Sequence, residues 1–193
     1  MIALIDESLA LRPNGYQYVI ASAIVVSAPS IDHVDIESLR EAVRQLVAAR
    51  SRPFRWKHEG VIKKGEMIDL IVNEQLFVTA SISKPRKAHH DRLSRAECLT
   101  NVCAQLAIEG IEELVIESRG VQDTDDISTI QAAKKSGSLP ESFPEPDFRG
   151  KSEPLLWIPD AVAGAIREAE TAKNRTWLER LTGPSLVIDI NRP

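Results

Sequence analysis

Cysteine is scarce in this chain of 193 residues, with only Cys98 and Cys103 present. A disulfide-stapled scaffold is therefore excluded. Both cysteines fall in a segment of helical pattern, and their spacing puts them on different helical faces, so a bridge between them is not expected. They read as buried or half-buried thiols of a cytoplasmic protein. No apolar run approaches the roughly 18 residues that cross a bilayer. The opening Met1-Ile2-Ala3-Leu4-Ile5 has no basic stretch and no small-residue cleavage site, so it is not a signal peptide and leads directly into structure. Without a secretory signal, the sequon Asn174-Arg175-Thr176 carries no weight.

Other absences narrow the chemistry. There is no internal repeat, low-complexity tract or interdomain linker. Walker-type phosphate loops, dinucleotide fingerprints and nucleophile elbows are all missing. His89-His90 has no Cys or His partner at zinc spacing. Asp123-Thr124-Asp125-Asp126 lacks the glycine and later glutamate of a calcium loop, and reads as a helix cap.

The length fits one well-cored domain over residues 1–193. Net charge is −4, which on average argues against a nucleic-acid partner. The basic residues are unevenly placed, however. Arg50, Arg52, Arg55, Lys57, Lys63 and Lys64 form one stretch, and Lys84, Arg86, Lys87, Arg92 and Arg95 a second. If both reach one side of the fold they make a basic groove; otherwise they are two solvated segments.

The periodicity predicts an α/β fold. Ile2 to Ile5 is a short buried strand running into Asp6-Glu7-Ser8. After the turn Arg12-Pro13-Asn14-Gly15, Tyr16 to Val26 is a second, antiparallel strand ended by Pro29-Ser30. Helices are predicted over 36–50, 63–75, 90–109 and 125–135, the last capped by Thr124 or Asp125, and most of 154–181 is helical. Further strands are expected at Leu76 to Ser83, at Leu114 to Ile116 and near Asp147 to Lys151, and Ser185 to Ile190 is a last strand or an extended tail. That order describes a mixed sheet flanked by helices.

Three carboxylates share a position in this grammar. Asp6 and Glu117 each follow an apolar strand, and Asp160 opens a late helix. Strand ends and helix starts meet at one edge of an open sheet, where ligands bind. Gly164, four residues after Asp160 and flanked by alanines, would let that helix approach the sheet closely. Alone, Asp6 reads as a turn former, Glu117 as an exposed strand end and Asp160 as a charge on the helix dipole. Together they repel one another unless a cation intervenes. Mg²⁺ or Mn²⁺ prefers such oxygen ligands, and two ions can activate water against a phosphodiester. Glu7, on the opposite strand face, is read as structural, and Ser8 as a turn cap.

The strand into Asp-Glu-Ser, the acid-terminated strand and the helix Leu-Leu-x-x-x-Asp-x-x-Ala-Gly, over residues 2 to about 168, resemble a bacterial and phage domain-of-unknown-function family of the ribonuclease H-like superfamily. The resemblance implies a ribonuclease H-like mixed sheet and metal-dependent cleavage or strand transfer of DNA or RNA, with Asp6, Glu117 and Asp160 as catalytic metal ligands. That family carries alanine where this chain has Pro159. The helix is therefore expected to start or kink at Pro159, with Asp160 in its first turn.

Trp56-Lys57-His58-Glu59 resembles the family's short polar motif. Glu59 is a candidate fourth catalytic carboxylate, against a solvated loop or helix cap. Arg55, Lys57, His58, Lys84, Arg86 and Lys87 are candidate nucleic-acid contacts. Trp56 is a candidate for stacking on a base, but core packing is the favoured role for it and for Trp157. The competing functional reading is a non-catalytic binding or scaffold subunit of a mobile-element or defence system.

Overall fold

A computed structural model of the chain describes residues 1–13, 15–25, 35–47, 52–87, 91–181 and 186–189. Asn14, Val26, Pro29-Ser30, the helix end at 48–50 with Arg50, His89-His90, Ser185 and Ile190 lie outside the described residues.

Strands β1 (Ile2–Arg12) and β2 (Gly15–Val25) form a long antiparallel hairpin whose register runs from Ile2 opposite Val25 to Arg12 opposite Gly15. Gly15 is required at the tip. Its φ is +129°, and a Cβ there would lie 2.0 Å from the Arg86 carbonyl oxygen. β3 (Phe77–Ile82) pairs antiparallel with β2. β4 (Glu113–Glu117), β5 (Pro146–Arg149) and β6 (Leu186–Asp189) add parallel to β1, β4 and β3 respectively. The result is a mixed six-stranded sheet in the order β5-β4-β1-β2-β3-β6.

Helices cover both faces. α1 (Ile36–Gln45), α2 (Val61–Asn73), α5 (Trp157–Ala172) and α6 (Thr176–Leu181) pack on one side, against Leu4, Val19, Val78 and Val115. α3 (Asp91–Glu109) and α4 (Asp123–Lys135) close the other, against Ala3, Ile5, Ile20, Leu114 and Ile116. The alternation of Leu4 and Val115 against their neighbours is the period-two signal of strands buried on both faces. Among the described residues no helix is long and apolar enough to cross a membrane. Cys98 and Cys103 are free and buried in α3.

Three expectations are corrected. The first strand does not end at Ile5 but continues through Ser8 to Arg12, because its hairpin partner β2 pairs with it to the tip while β4 accompanies only Ile2 to Ile5. α5 starts at Trp157, after a 3₁₀ turn at Pro154–Leu156, with no break at Pro159. As the third helical residue, Pro159 forgoes an N–H that has no intrahelical partner in any helix. Asp160 does lie in the first turn. α4 begins at Asp123 rather than behind a cap at Thr124 or Asp125. Asp123 instead accepts from Ser118 Oγ at 2.7 Å and from the Arg119 N–H at 2.6 Å. Trp56 is 1% exposed and sits in the core, the role the sequence favours for it over base stacking.

Candidate functional site

Because Ile5 stands opposite Ile116 in the parallel β1–β4 ladder, Asp6 and Glu117 sit level, one step past the last pair. Both fall on the strand face of Leu4 and Val115, toward α5. The first turn of α5 contributes Asp160. A carboxylate from β1, one from β4 and one from a helix thus converge where β4 ends.

Burial holds the Asp6 carboxyl well above the ordinary carboxylate range, and the negative charges of Glu117 and Asp160 push it the same way. The Glu7 N–H, donating to Asp6 Oδ1 at 2.7 Å, opposes this. Asp6 Oδ2 is buried with no hydrogen-bond partner. Burial also raises Asp160, against the pull of the Trp56 N–H, which donates to its Oδ2 at 2.8 Å, and of Arg55. Glu117 faces cations: both Arg55 Nη atoms lie 3.4 Å from its Oε1, and Lys151 Nζ lies 3.7 Å away.

Whether a divalent cation suits these residues is a question of donor chemistry. The donors are all carboxylate oxygens, which hard cations prefer, and Asp6 Oδ2 is an anionic acceptor that the protein itself leaves unmatched. The donor set fits such an ion. It is not preassembled, since among the described residues no three His, Cys, Asp or Glu side chains stand in a metal-holding arrangement. Arg55 and the Trp56 N–H take up oxygens that a metal would need.

The other sequence candidates are dispersed. Glu59 is buried, its Oε1 3.6 Å from Arg52 Nη2. Lys57 and His58 are exposed on the 3₁₀ turn Trp56–His58, beside the cluster's Arg55. Lys84 and Arg86 border a cleft against α3 and α4, on the opposite sheet face, and Lys87 is exposed near them. Arg95 is buried between Glu7 and Asp126, 2.8 Å from each. The two basic stretches are therefore divided by the sheet and do not make one groove.

Sequence reasoning missed the support of Asp160. Asp160, Gly164 and Glu168 form one stripe of α5, and all three engage Trp56. Asp160 takes its backbone N–H, Glu168 Oε1 accepts from its indole Nε1 at 3.0 Å, and the bare face of Gly164 receives its ring. Lys64 pairs with Glu168 and lies 4.6 Å over the indole. Gly164 thus admits Trp56, rather than the sheet as its small neighbours had suggested. The four-residue spacing was legible; its partner was not.

No family model matches the chain, and no curated protein matches it. Among solved structures it is similar to ribonuclease HII from Archaeoglobus fulgidus, determined in complex with PCNA, with 14% identity and a TM-score of 0.52 over 97% of this chain and 80% of that one. The likeness is one of architecture: the chain has an α/β, ribonuclease H-like fold, a mixed sheet flanked by helices.

Proposed function

We propose that residues 1–193 are one ribonuclease H-like domain that cleaves or transfers DNA or RNA phosphodiesters with Mg²⁺ or Mn²⁺, as in the bacterial and phage family its motifs resemble. The carrying observation is the buried, unmatched Asp6 Oδ2 beside two further acids. Asp6, Glu117 and Asp160 would hold the metal, with Glu59 the fourth candidate. The ion supplies a polarised water and charge neutralisation for the scissile phosphate.

The chain's own residues supply the rest. The Trp56 N–H fixes one Asp160 oxygen and so aims the other. Arg55, Lys57 and His58, on one short segment, offer cationic and hydrogen-bonding groups to a phosphate backbone. Lys84, Arg86 and Lys87, across the sheet, would meet only nucleic acid that wraps the edge.

Labelled single- and double-stranded DNA and RNA, incubated with Mn²⁺, test this reading. Cleavage by wild type and its loss in Asp6→Asn are expected. No cleavage of any substrate, or equal cleavage by the variant, sinks the catalytic role. A specific observation favours the second reading, a non-catalytic binding or scaffold subunit: Arg55 and Lys151 already neutralise Glu117. Under that reading, nucleic acid binds without cleavage and Mn²⁺ does not stabilise the protein.

A further inference from the structure

On the sheet face beneath α3, Ala3 and Ile5 of β1, Tyr18 and Ile20 of β2, and Leu114 and Ile116 of β4 join one apolar cluster, whereas β3 follows Phe77 with a polar run. Val78, Ala80 and Ile82 enter the core on the α5 side. The alternating residues Thr79, Ser81 and Ser83 therefore face α3, and all three are buried. Burying a hydroxyl costs free energy unless it is matched. Thr79 Oγ1, and Ser94 Oγ on α3, are buried without a hydrogen-bond partner. Ser81 Oγ accepts a long bond, 3.4 Å, from Asn101 Nδ2 and also hydrogen-bonds the Cys98 thiol. These hydroxyls form a polar seam in a layer that also encloses the ion pairs of Arg95 with Glu7 and Asp126.

Ser81 and Ser83, though not Thr79 or Ser94, line a cleft of about 790 Å³ between the end of β3, α3 and α4, within the usual range for small-molecule sites. Its apolar surface includes Leu93, Ala96 and Ala133. Its α4 wall presents Ser128, Thr129 and Ser136. Their hydroxyl protons are committed to the carbonyls of Thr124 at 2.8 Å, Asp125 at 2.8 Å and Ala133 at 3.0 Å. The oxygen lone pairs remain, so this wall accepts hydrogen bonds. On the β3 side are Lys84 and Arg86. Arg86 is engaged by Glu97, at 3.0 and 2.9 Å. Lys84 is exposed and has no ion pair among the described residues.

The complementary ligand has a flat face for the apolar surface, O–H or N–H donors for the α4 wall and one anionic end for Lys84. We propose that this cleft binds a nucleoside monophosphate, its base against the apolar surface, its ribose or amino groups donating to α4 and its phosphate at Lys84. The site lies across the sheet from Asp6, Glu117 and Asp160, so it stands or falls independently of the reaction proposed there.

Isothermal titration in EDTA, with AMP, GMP, CMP and UMP, their nucleosides and inorganic phosphate as probes, tests the proposal. At least one nucleotide should bind with a sub-millimolar Kd, and its nucleoside and phosphate about tenfold or more weakly. Lys84→Glu, a change at an exposed position, should weaken the nucleotide by a similar factor. Ala132→Trp, at an exposed α4 position on the cleft, should block it, and Asp6→Asn should leave it unchanged. Binding of no nucleotide overturns the proposal. So does phosphate binding as tightly as the nucleotide, or nucleotide affinity unaltered by Lys84→Glu.

Discussion

A methyl group on Gly164 would lie 2.2 Å from Cγ of Trp56 and 2.4 Å from its Cδ1. The indole is enclosed, with Trp177 edge-on at 5.9 Å, so it has nowhere to withdraw. Gly164→Ala should therefore cost about 3 kcal/mol or more, the upper end for overpacking a core. If Trp56 moves instead of the helix, its N–H leaves Asp160 and metal-dependent activity falls with stability. Thermal unfolding and the cleavage assay check both. A variant of wild-type stability would mean that this contact is looser than described.

Asp6 carries a different cost. Its Oδ2 is buried without a partner, and the charges of Glu117 and Asp160 oppose its ionisation. Asp6→Asn removes the charge and supplies an N–H₂ donor for the neighbouring carboxylates. In EDTA the variant should be more stable than wild type by about 1–3 kcal/mol, roughly 2–4 °C in Tm per kcal/mol at this chain length. Added Mn²⁺ should raise the wild-type Tm and leave the variant unmoved, because a ligand stabilises only the state that binds it. Differential scanning calorimetry reads both. A variant less stable than wild type in EDTA would refute the like-charge argument.

Much of this arrangement was legible in the sequence because it follows local periodicity. Apolar runs placed Asp6 and Glu117 on strands, alternation sent Glu7 to the other face, where it meets Arg95 and Arg119, and helical spacing placed Asp160. What escaped depends on partners distant in sequence. The extension of β1 to Arg12 is imposed by pairing with β2 rather than by an apolar pattern, since Leu9 and Leu11 are 42% and 74% exposed. Trp56 gave no local sign that it would be enclosed by a stripe over a hundred residues away. The sequence leaves open whether the basic stretches make one groove, because sequence spacing does not tell which sheet face a segment reaches.

The cysteines should be chemically silent in the folded chain. Burial pushes the Cys98 thiol up to about 11 and raises Cys103 as well. With a pKa near 11, roughly 0.1% of Cys98 is thiolate at pH 8, and the thiolate is the reacting species. Iodoacetamide at that pH should modify neither residue in the native protein and both in urea. Raising the pH of the native protein toward 11 should release Cys98 first. Mass spectrometry of the alkylated peptides decides it, and rapid native labelling at pH 8 would contradict the packing of α3.

Arg95 makes the sharpest case for a charge that cannot be removed. Its side chain is 7% exposed and lies 2.8 Å from both Glu7 and Asp126. Arg95→Met keeps much of the volume but leaves two enclosed carboxylates, with Arg119, 3.2 Å from Glu7, the remaining cation. Burial already works against the charge on Asp126. The loss should be about 3–5 kcal/mol, the usual cost of breaking a buried pair from one side. Its pH dependence has a definite sign. Asp126 is already raised to about 7 in the folded chain, and losing Arg95 raises it further above its unfolded value, so folding takes up more protons than in wild type. Stability is then greatest toward the ordinary carboxylate pKa, about 4, and declines as pH rises through the raised values. Urea unfolding should therefore show a larger deficit against wild type at about pH 8 than at about pH 5. An equal deficit at both would mean that lost packing, not an unmatched charge, accounts for the destabilisation.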